Sequence, residues 1–259
     1  MITSHSNLSS NLFSNALRGA APTVETTAPR RLSTHATPMT SSPSVAAPSY
    51  AEIYPVHPSV HSKLKRLVDI VGGVIGLTVT GLLFVPIAIA IQIDNPGTIL
   101  YSQERCGVQG KTFRIWKFRS MVSNADALKK DLQSQNQASG HIFKMKNDPR
   151  ITRVGKFLRK TSLDEFPQFL NVILGDMSMV GTRPPSLDEV AKYDRHHWQR
   201  LTVKPGITGE WQANGRSTVK DFEDIVEMDL AYQKKWSIAY DLKLIFKTIG
   251  VVFNKKGAC

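Results

Sequence analysis

The chain is poor in cysteine and in negative charge, and outside one segment it has no long hydrophobic run. Its two cysteines, Cys106 and Cys259, are too few for a disulfide framework and show no metal-ligand spacing, which points to a reduced, cytosolic setting. Cys259 is the last residue and is not placed for prenylation. There is no Walker A sequence, no GxGxxG, no zinc spacing and no G-x-S-x-G elbow. Kinase, hydride-transfer and serine-hydrolase readings therefore lose their usual anchors. Acidic residues number 21 against 33 Lys and Arg, a formal net charge of +12. Residues 1–60 hold Arg18, Arg30 and Arg31 against Glu25 and Glu52, so all but +1 of that charge belongs to the rest of the chain. Such an excess suggests a polyanionic partner, whether nucleic acid, an anionic lipid surface or a phosphorylated substrate.

The 259 residues suffice for one substantial domain and a tail. Residues 1–60 are rich in Ser, Thr, Pro and Ala without a sustained apolar period, and are read as a disordered tail that cannot offset its ordering entropy. No apolar h-region occurs there, so a signal peptide is not expected. The composition changes at residues 61–95. Lys63, Lys65 and Arg66 precede LVDIVGGVIGLTVTGLLFVPIAIAIQI, residues 67–93, in which only Asp69 is charged. That run has the length of a bilayer core, and the basic flank favours the cytoplasm. Pro86 sits inside it and Gly72, Gly73, Gly76 and Gly81 loosen its first half; a kinked apolar helix can span, or it can turn back to the face it entered. No second comparable run exists, and the basic remainder pulls the far flank to the same side as the near one. Turning back is therefore expected, with residues 96–259 as a cytoplasmic domain.

After the turn signal Asn95-Pro96-Gly97, residues 98–118 read as strand, turn at Gly107 to Gly110, and strand. Residues 122–138 read as a polar surface helix. The rest is mainly helical with breaks at Pro149, Gly175, Pro184-Pro185, Pro205-Gly206 and Gly215. DLKLIFKTIGVVF, residues 241–253, places apolar residues at helical spacing with Lys243 and Lys247 opposite, which suits a helix lying on a membrane or an ordinary amphipathic core helix. The fold class expected is α+β, mainly helical.

The densest constellation is FKMKNDPRITRVGKFLRKTSLDEFPQ, residues 143–168. Lys144, Lys146, Arg150, Arg153, Lys156, Arg159 and Lys160 crowd before the adjacent acids Asp164 and Glu165, and the three-residue spacing of Arg153, Lys156 and Arg159 gathers them near one helix face. This can be a solvated basic face. Ser162-Leu163-Asp164-Glu165 can equally be a capping box, although Pro167 fits it poorly. An ionised carboxylate among cations is also what attack on a phosphoryl centre requires. Gly181-Thr182-Arg183-Pro184-Pro185 offers an arginine on a stiff backbone, and residues 205–216 read as a backbone-shaped binding loop ending in Arg216. His196 and His197 point apart on a helix and are read as surface residues.

Taken in order, KRLVDIVGG, DNPGTILYSQERCGVQGKTFRIWKFRSM, NDPRITRVGKFLRKTSLDEFPQFLNVILGDMSMVGTRP, KPGITGEWQANGR and DLKLIFKTIGVVF resemble the bacterial sugar transferase family, the monotopic phosphoglycosyl transferases, over residues 63–257. The resemblance implies an enzyme at the cytoplasmic face of the bacterial inner membrane, starting exopolysaccharide, capsule or O-antigen synthesis. It implies that Asp164 attacks the β-phosphate of a UDP-sugar, that UMP leaves, and that polyprenyl phosphate takes the sugar 1-phosphate from the aspartate. Glu165 then holds Mg²⁺, Arg159 faces phosphate and Arg183 belongs to the nucleotide-binding loop, while Lys117, Arg119 and Arg216 fall in matching basic motifs. The family's helix re-enters at a Ser-Pro break, where this chain has Val85-Pro86, and its Gly-Pro-Arg-Pro loop reads Gly-Thr-Arg-Pro here. Larger members carry several preceding membrane helices, against which this chain reads as a minimal catalytic form. The rival expectations are a non-catalytic membrane-anchored adaptor with a basic surface and a nucleic-acid binder, the second disfavoured by the apolar run. A homo-oligomer is left open.

Overall fold

A computed structural model describes residues 54–132, 145, 147–214, 219 and 221–253. The chain divides into two units, Met1–Ser41, none of it among the described residues, and Ser42–Cys259. The second unit is mainly helical with two small sheets. Tyr54 to Val60, the end of the Ser/Pro-rich stretch, packs on it: Tyr54 lies against a core of Cys106, Tyr193 and Trp198, and the His57 amide donates to the Thr202 carbonyl at 3.0 Å.

Helix α1 spans Lys63–Asp94, 32 residues, and among the described residues it alone is long and apolar enough to cross a membrane. Ser62 caps its start by accepting the Lys65 amide. Pro86 lies inside the helix and does not end it. The end comes at Asn95-Pro96-Gly97, where the Gln92 amide group bonds both the N–H and the C=O of Gly97, at 3.0 and 2.6 Å. Gly72, Gly73 and Gly76 are packing surfaces rather than loosening elements, which corrects the sequence expectation for these three; Gly81 faces open space. A Cβ on Gly76 would lie 2.3 Å from the Phe169 ring, and one on Gly73 would lie 2.9 Å from Ile173. Only a side chain of hydrogen lets the helix come this close.

Strands β1, Leu100–Cys106, and β2, Thr112–Phe118, form the expected antiparallel hairpin, in register Leu100 to Phe118 and Cys106 to Thr112. Its turn carries Gln109 at φ 52°. The polar helix is shorter than expected among the described residues: α2 is Ala125–Asp131, and much of 132–138 lies outside them. Helices α3, Arg153–Thr161, and α4, Phe169–Leu174, flank a 3-10 turn, Leu163–Gln168. Helices α5, Leu187–Val190, and α6, Arg195–Trp198, are single turns; α7, Glu210–Asn214, α8, Phe222–Lys235, and α9, Ile238–Phe253, complete the fold.

Strands β3, Ser178–Val180, and β4, Gly206–Thr208, pair in parallel. The sequence reading of 205–216 as a loop missed this pair. A three-residue strand has no visible period, and its pairing needs glycine: a Cβ on Gly181 would meet the Lys204 carbonyl at 2.1 Å, and one on Gly206 would meet the Gly181 amide at 2.1 Å. The Gly181-Thr182-Arg183 and Pro205-Gly206-Ile207-Thr208 motifs are therefore two halves of one crossing.

Candidate active site

Asp164 and Glu165 stand in the Leu163–Gln168 turn, which packs on β2, α1, α3 and α4. Neither forms the capping box that their spacing allows. Ser162 sits in the left-handed region at φ 58° as the C-cap of α3, and its side chain makes no cap bond to the turn that follows. Asp164 is thereby turned inward, 6 % exposed, while Glu165 stays at the surface edge with Lys117 Nζ 3.0 Å from Oε1. The turn also touches the apolar helix, since the Thr80 hydroxyl, which donates to the Gly76 carbonyl at 2.7 Å, lies 3.2 Å from the Phe166 carbonyl.

The Lys117-Phe118-Arg119-Ser120 run divides its work. Lys117 reaches Glu165; Phe118 is buried against Ile87, Ile91 and Leu158; Ser120 Oγ accepts from Arg159 Nε at 2.9 Å. Arg159, in the last turn of α3, is thus oriented by a hydroxyl just beyond the end of β2. Arg119 goes elsewhere. It is buried and its guanidinium donates to the Asn95 and Pro96 carbonyls, closing the C-terminal end of α1. Arg216 lies outside the described residues, as do Lys144 and Lys146.

The basic run of 143–168 also separates. Arg150 is buried on Asp148 at 2.6 Å and holds its carboxyl below the ordinary range. Arg153 is exposed and 3.7 Å from Asp94, and Lys156 and Lys160 face outward. Of that cluster, Arg159 is half-buried and donates to Ser120, just beyond the end of β2.

Arg183 lies beyond β1. Its Nη1 donates to Glu189 Oε2 at 2.9 Å. Burial opposes ionisation of Glu189, yet Arg183 and Arg105 outweigh it and hold the carboxyl below its ordinary range. Arg105, missed by sequence reasoning, joins the two halves. Its guanidinium lies 3.8 Å from Glu189 and senses both Arg183 and Glu165 electrostatically. Burial, with Arg183 adding to it, lowers the Arg105 pKa to about 10. The backbone secures this position: the Cys106 amide donates to the Pro185 carbonyl at 3.0 Å, zipping the end of β1 to the loop that bears Arg183. Alternation along β1 offered a faint signal for Arg105, which shares a face with Gln103 and donates to its Oε1 at 2.6 Å. Glu189 was hidden by its place in Ser186-Leu187-Asp188-Glu189, itself a capping sequence, where Ser186 caps α5 while the Glu189 carboxylate turns to Arg183.

His197, read as a surface residue, is buried: it forms a capping box with Asp194, and Nε2 lies 2.9 Å from Glu223. His196 is exposed as expected. The Cys106 thiol is fully buried, and burial pushes it to about 11, so it is a packing group and not a nucleophile.

The arrangement offers one inward carboxylate, a second at the rim and guanidinium or ammonium groups on several sides, against an apolar helix. The model of the bacterial sugar transferase family matches residues 60–255. The chain is 49 % identical over 198 residues to the galactosyl transferase CpsE of Streptococcus agalactiae, covering 76 % of this chain and 44 % of that protein. It is 42 % identical over 199 residues to the undecaprenyl-phosphate galactose phosphotransferase of Salmonella typhimurium, covering 75 % of this chain and 41 % of that protein. It is 38 % identical over 198 residues to the exopolysaccharide production protein ExoY of Sinorhizobium fredii, covering 75 % of this chain and 87 % of that protein. The chain thus spans less than half the length of the first two relatives and most of the third. With its motifs matched from the apolar helix through to α9, this chain belongs to the bacterial sugar transferase family.

Proposed function

We propose that the protein transfers a sugar 1-phosphate from a UDP-sugar to a polyprenyl phosphate at the cytoplasmic face of the membrane, through Asp164. The observation that carries this reading is the contact between the Asp164 turn and the apolar helix at Thr80 and Phe166. A carboxylate turned inward beside a lipid-facing helix suits a reaction that joins a soluble nucleotide sugar to a lipid.

In the first step an Asp164 oxygen bonds to the β-phosphorus of the UDP-sugar. The bond from that phosphorus to the bridging oxygen breaks, and UMP leaves with the oxygen. In the second step an oxygen of polyprenyl phosphate bonds to the same phosphorus, the acyl-phosphate bond breaks, and the Asp164 carboxylate is regenerated beside polyprenyl diphosphate sugar. Charge builds on the phosphoryl oxygens in each step, and Lys117, Arg159, Arg183 and Arg105 supply compensating donors. Burial of Asp164 and the packed turn exclude water that would hydrolyse the acyl phosphate.

Among the described residues no three ligating side chains cluster, so no complete cage for a metal is built from protein alone. The hard oxygens of Glu165 at the rim fit Mg²⁺, which takes one or two carboxylates together with substrate phosphates and water. When bound there it supplies Lewis-acid neutralisation of the diphosphate. Glu165 is the residue we assign to hold it, with Lys117 released from the carboxylate.

The re-entrant course of α1 is part of the proposal. Lys65 near its start is paired to Asp241, and Asp94 at its end accepts the Val154 amide at 2.9 Å, so both flanks are tied to one domain. A domain cannot sit on both sides of a bilayer, and the basic flank favours the cytoplasm. Helix α9 leaves Leu242, Phe246 and Ile249 exposed, which supports an interfacial position. The names of the relatives suggest UDP-galactose and UDP-glucose as first substrates to test. Asp164→Asn should lower UMP release by about 10⁴-fold or more with folding intact; full turnover in that variant ends the proposal. Glu165→Gln should raise the Mg²⁺ concentration needed for half-maximal rate.

A further inference from the structure

The first turn of α1 is charged against its own dipole. It carries Lys63, Lys65 and Arg66 and no acid, at the end where the helix is already positive. Lys65 is neutralised by Asp241 at 2.6 Å, but Lys63 is exposed, and Arg66 spends two donors on the Val172 and Ile173 carbonyls, each at 2.7 Å, at the end of α4. A cleft of about 360 Å³ opens here, lined by the segment 59–63, Arg66, Asp69 and Lys204. Lys204 enters it from the strand connection before β4. A Cβ on Gly175 would lie 3.7 Å from both Lys204 Nζ and Arg66 Nη2, so the two cations share one wall. Burial holds the Lys204 amine below the ordinary lysine range, Arg66 adds to that, and Asp69 and Asp176 oppose it only in part.

Apolar side chains flank these cations in the chain. Leu64 and Leu67 stand next to Lys63 and Arg66 on α1, Leu174 precedes Gly175 at the end of α4, and each is more than half exposed. The cleft also stands apart from the reaction centre. Asp69 and Thr80 are separated by three turns of α1, roughly 16 Å, and it is Thr80 that touches the Asp164 turn.

We propose that this cleft binds the phosphate of an anionic membrane phospholipid, with Lys204, Lys63 and the free edge of Arg66 as its donors and the tails lying along Leu64, Leu67 and Leu174. A phosphate ester is the anion that would bring acyl chains to such side chains, and a helix N-terminus rich in cations favours it further. The site is a second lipid contact, independent of the sugar transfer.

The test uses the full chain in dodecyl-maltoside micelles, titrated separately with phosphatidylglycerol, phosphatidylcholine and inorganic phosphate while thermal unfolding is followed. Phosphatidylglycerol should raise the midpoint, and the other two should raise it far less. Lys204→Gln should weaken the apparent phosphatidylglycerol affinity about tenfold, the size expected for one charge-assisted hydrogen bond. Lys63→Gln, at an exposed position, should weaken it several-fold and carries the test where Lys204→Gln does not fold. UMP release by both variants in micelles should match wild type. Equal response to the two lipids, equal protection by inorganic phosphate, or unchanged phosphatidylglycerol affinity in the variants each overturns the site. None of these outcomes bears on Asp164.

Discussion

The two faces of α1 are built on opposite rules. Toward the domain it presents Lys65, Asp69, Gly73, Gly76 and Thr80, all buried, before Ile87 and Ile91. Away from the domain it presents Leu64, Leu67, Val71, Val74, Leu82, Val85, Ile89 and Ile93, all exposed. A helix of a water-soluble protein has this the other way round. The inward polar groups are satisfied individually. Asp69 Oδ1 accepts from the Ser178 hydroxyl at 2.7 Å and the Met179 amide at 2.8 Å, and Lys65 bonds Asp241 together with the Val180 carbonyl. Among the described residues the outward face has no protein partner, and hydrocarbon is the solvent that suits it. The contrast teaches that specificity of docking resides in polar and glycine contacts, where lipid gives no hydrophobic preference for protein over itself.

The sharpest way to break this contrast is on the inner face. Lys65→Met leaves the Asp241 carboxylate buried beside Tyr232 and Trp236 with its charge uncompensated, and should lower the stability by about 3–5 kcal/mol, read as a fall in the unfolding midpoint in detergent. Gly76→Leu drives a side chain into the Phe169 ring. It should cost at least about 1–3 kcal/mol and detach α1 from α4, visible as new proteolytic cleavage near the helix. A buried pair away from α1 sharpens the comparison by pH. The Glu189 carboxyl is held below its ordinary value of 4.5, so the unfolded chain binds the proton more tightly than the folded one. Its contribution is fully present above 4.5, and is lost as the pH falls through the lower folded value; the nearby Trp198 fluorescence should report loosening there and not between pH 6 and 8. On the outer face Leu82→Ala should change fold stability by no more than about 0.5 kcal/mol, while shifting protein from the membrane pellet toward the supernatant in a sedimentation assay. A large loss of stability from that last change would mean that α1's outer face is covered by protein.

Much of this was legible from the residues because it depends on short-range chemistry. The hairpin at 100–118 follows from β-prone segments around two glycines, and the stop of α1 follows from Asn95-Pro96-Gly97. Lys117 and Arg159 were drawn toward the acid pair by motif alone, and the folded chain brings Lys117 onto Glu165. What was not legible depends on distant partners. Arg119 and Lys117 are two residues apart and indistinguishable by charge, but β2 ends at Phe118: Lys117, still in the strand, reaches a carboxylate, while Arg119, past its end, is taken by the carbonyl groups at the α1 terminus. His197 was read as a surface residue because adjacent helical residues point apart, and it is buried because Tyr193 and Phe222 converge on it from the turn before α6 and from α8.

By itself the sequence determined the apolar helix, its basic entry, the strand pair and the acid pair, each the product of residue type and local spacing, which act within a few residues along the chain. The tertiary structure decided which cations meet which anions, that Gly72, Gly73 and Gly76 are contact points, that the 181 and 206 loops cross as strands, and that Arg105 and Arg183 share the Glu189 carboxylate. Those outcomes join residues tens of positions apart, and a Coulomb or packing energy depends on distance in space, which only the folded chain sets.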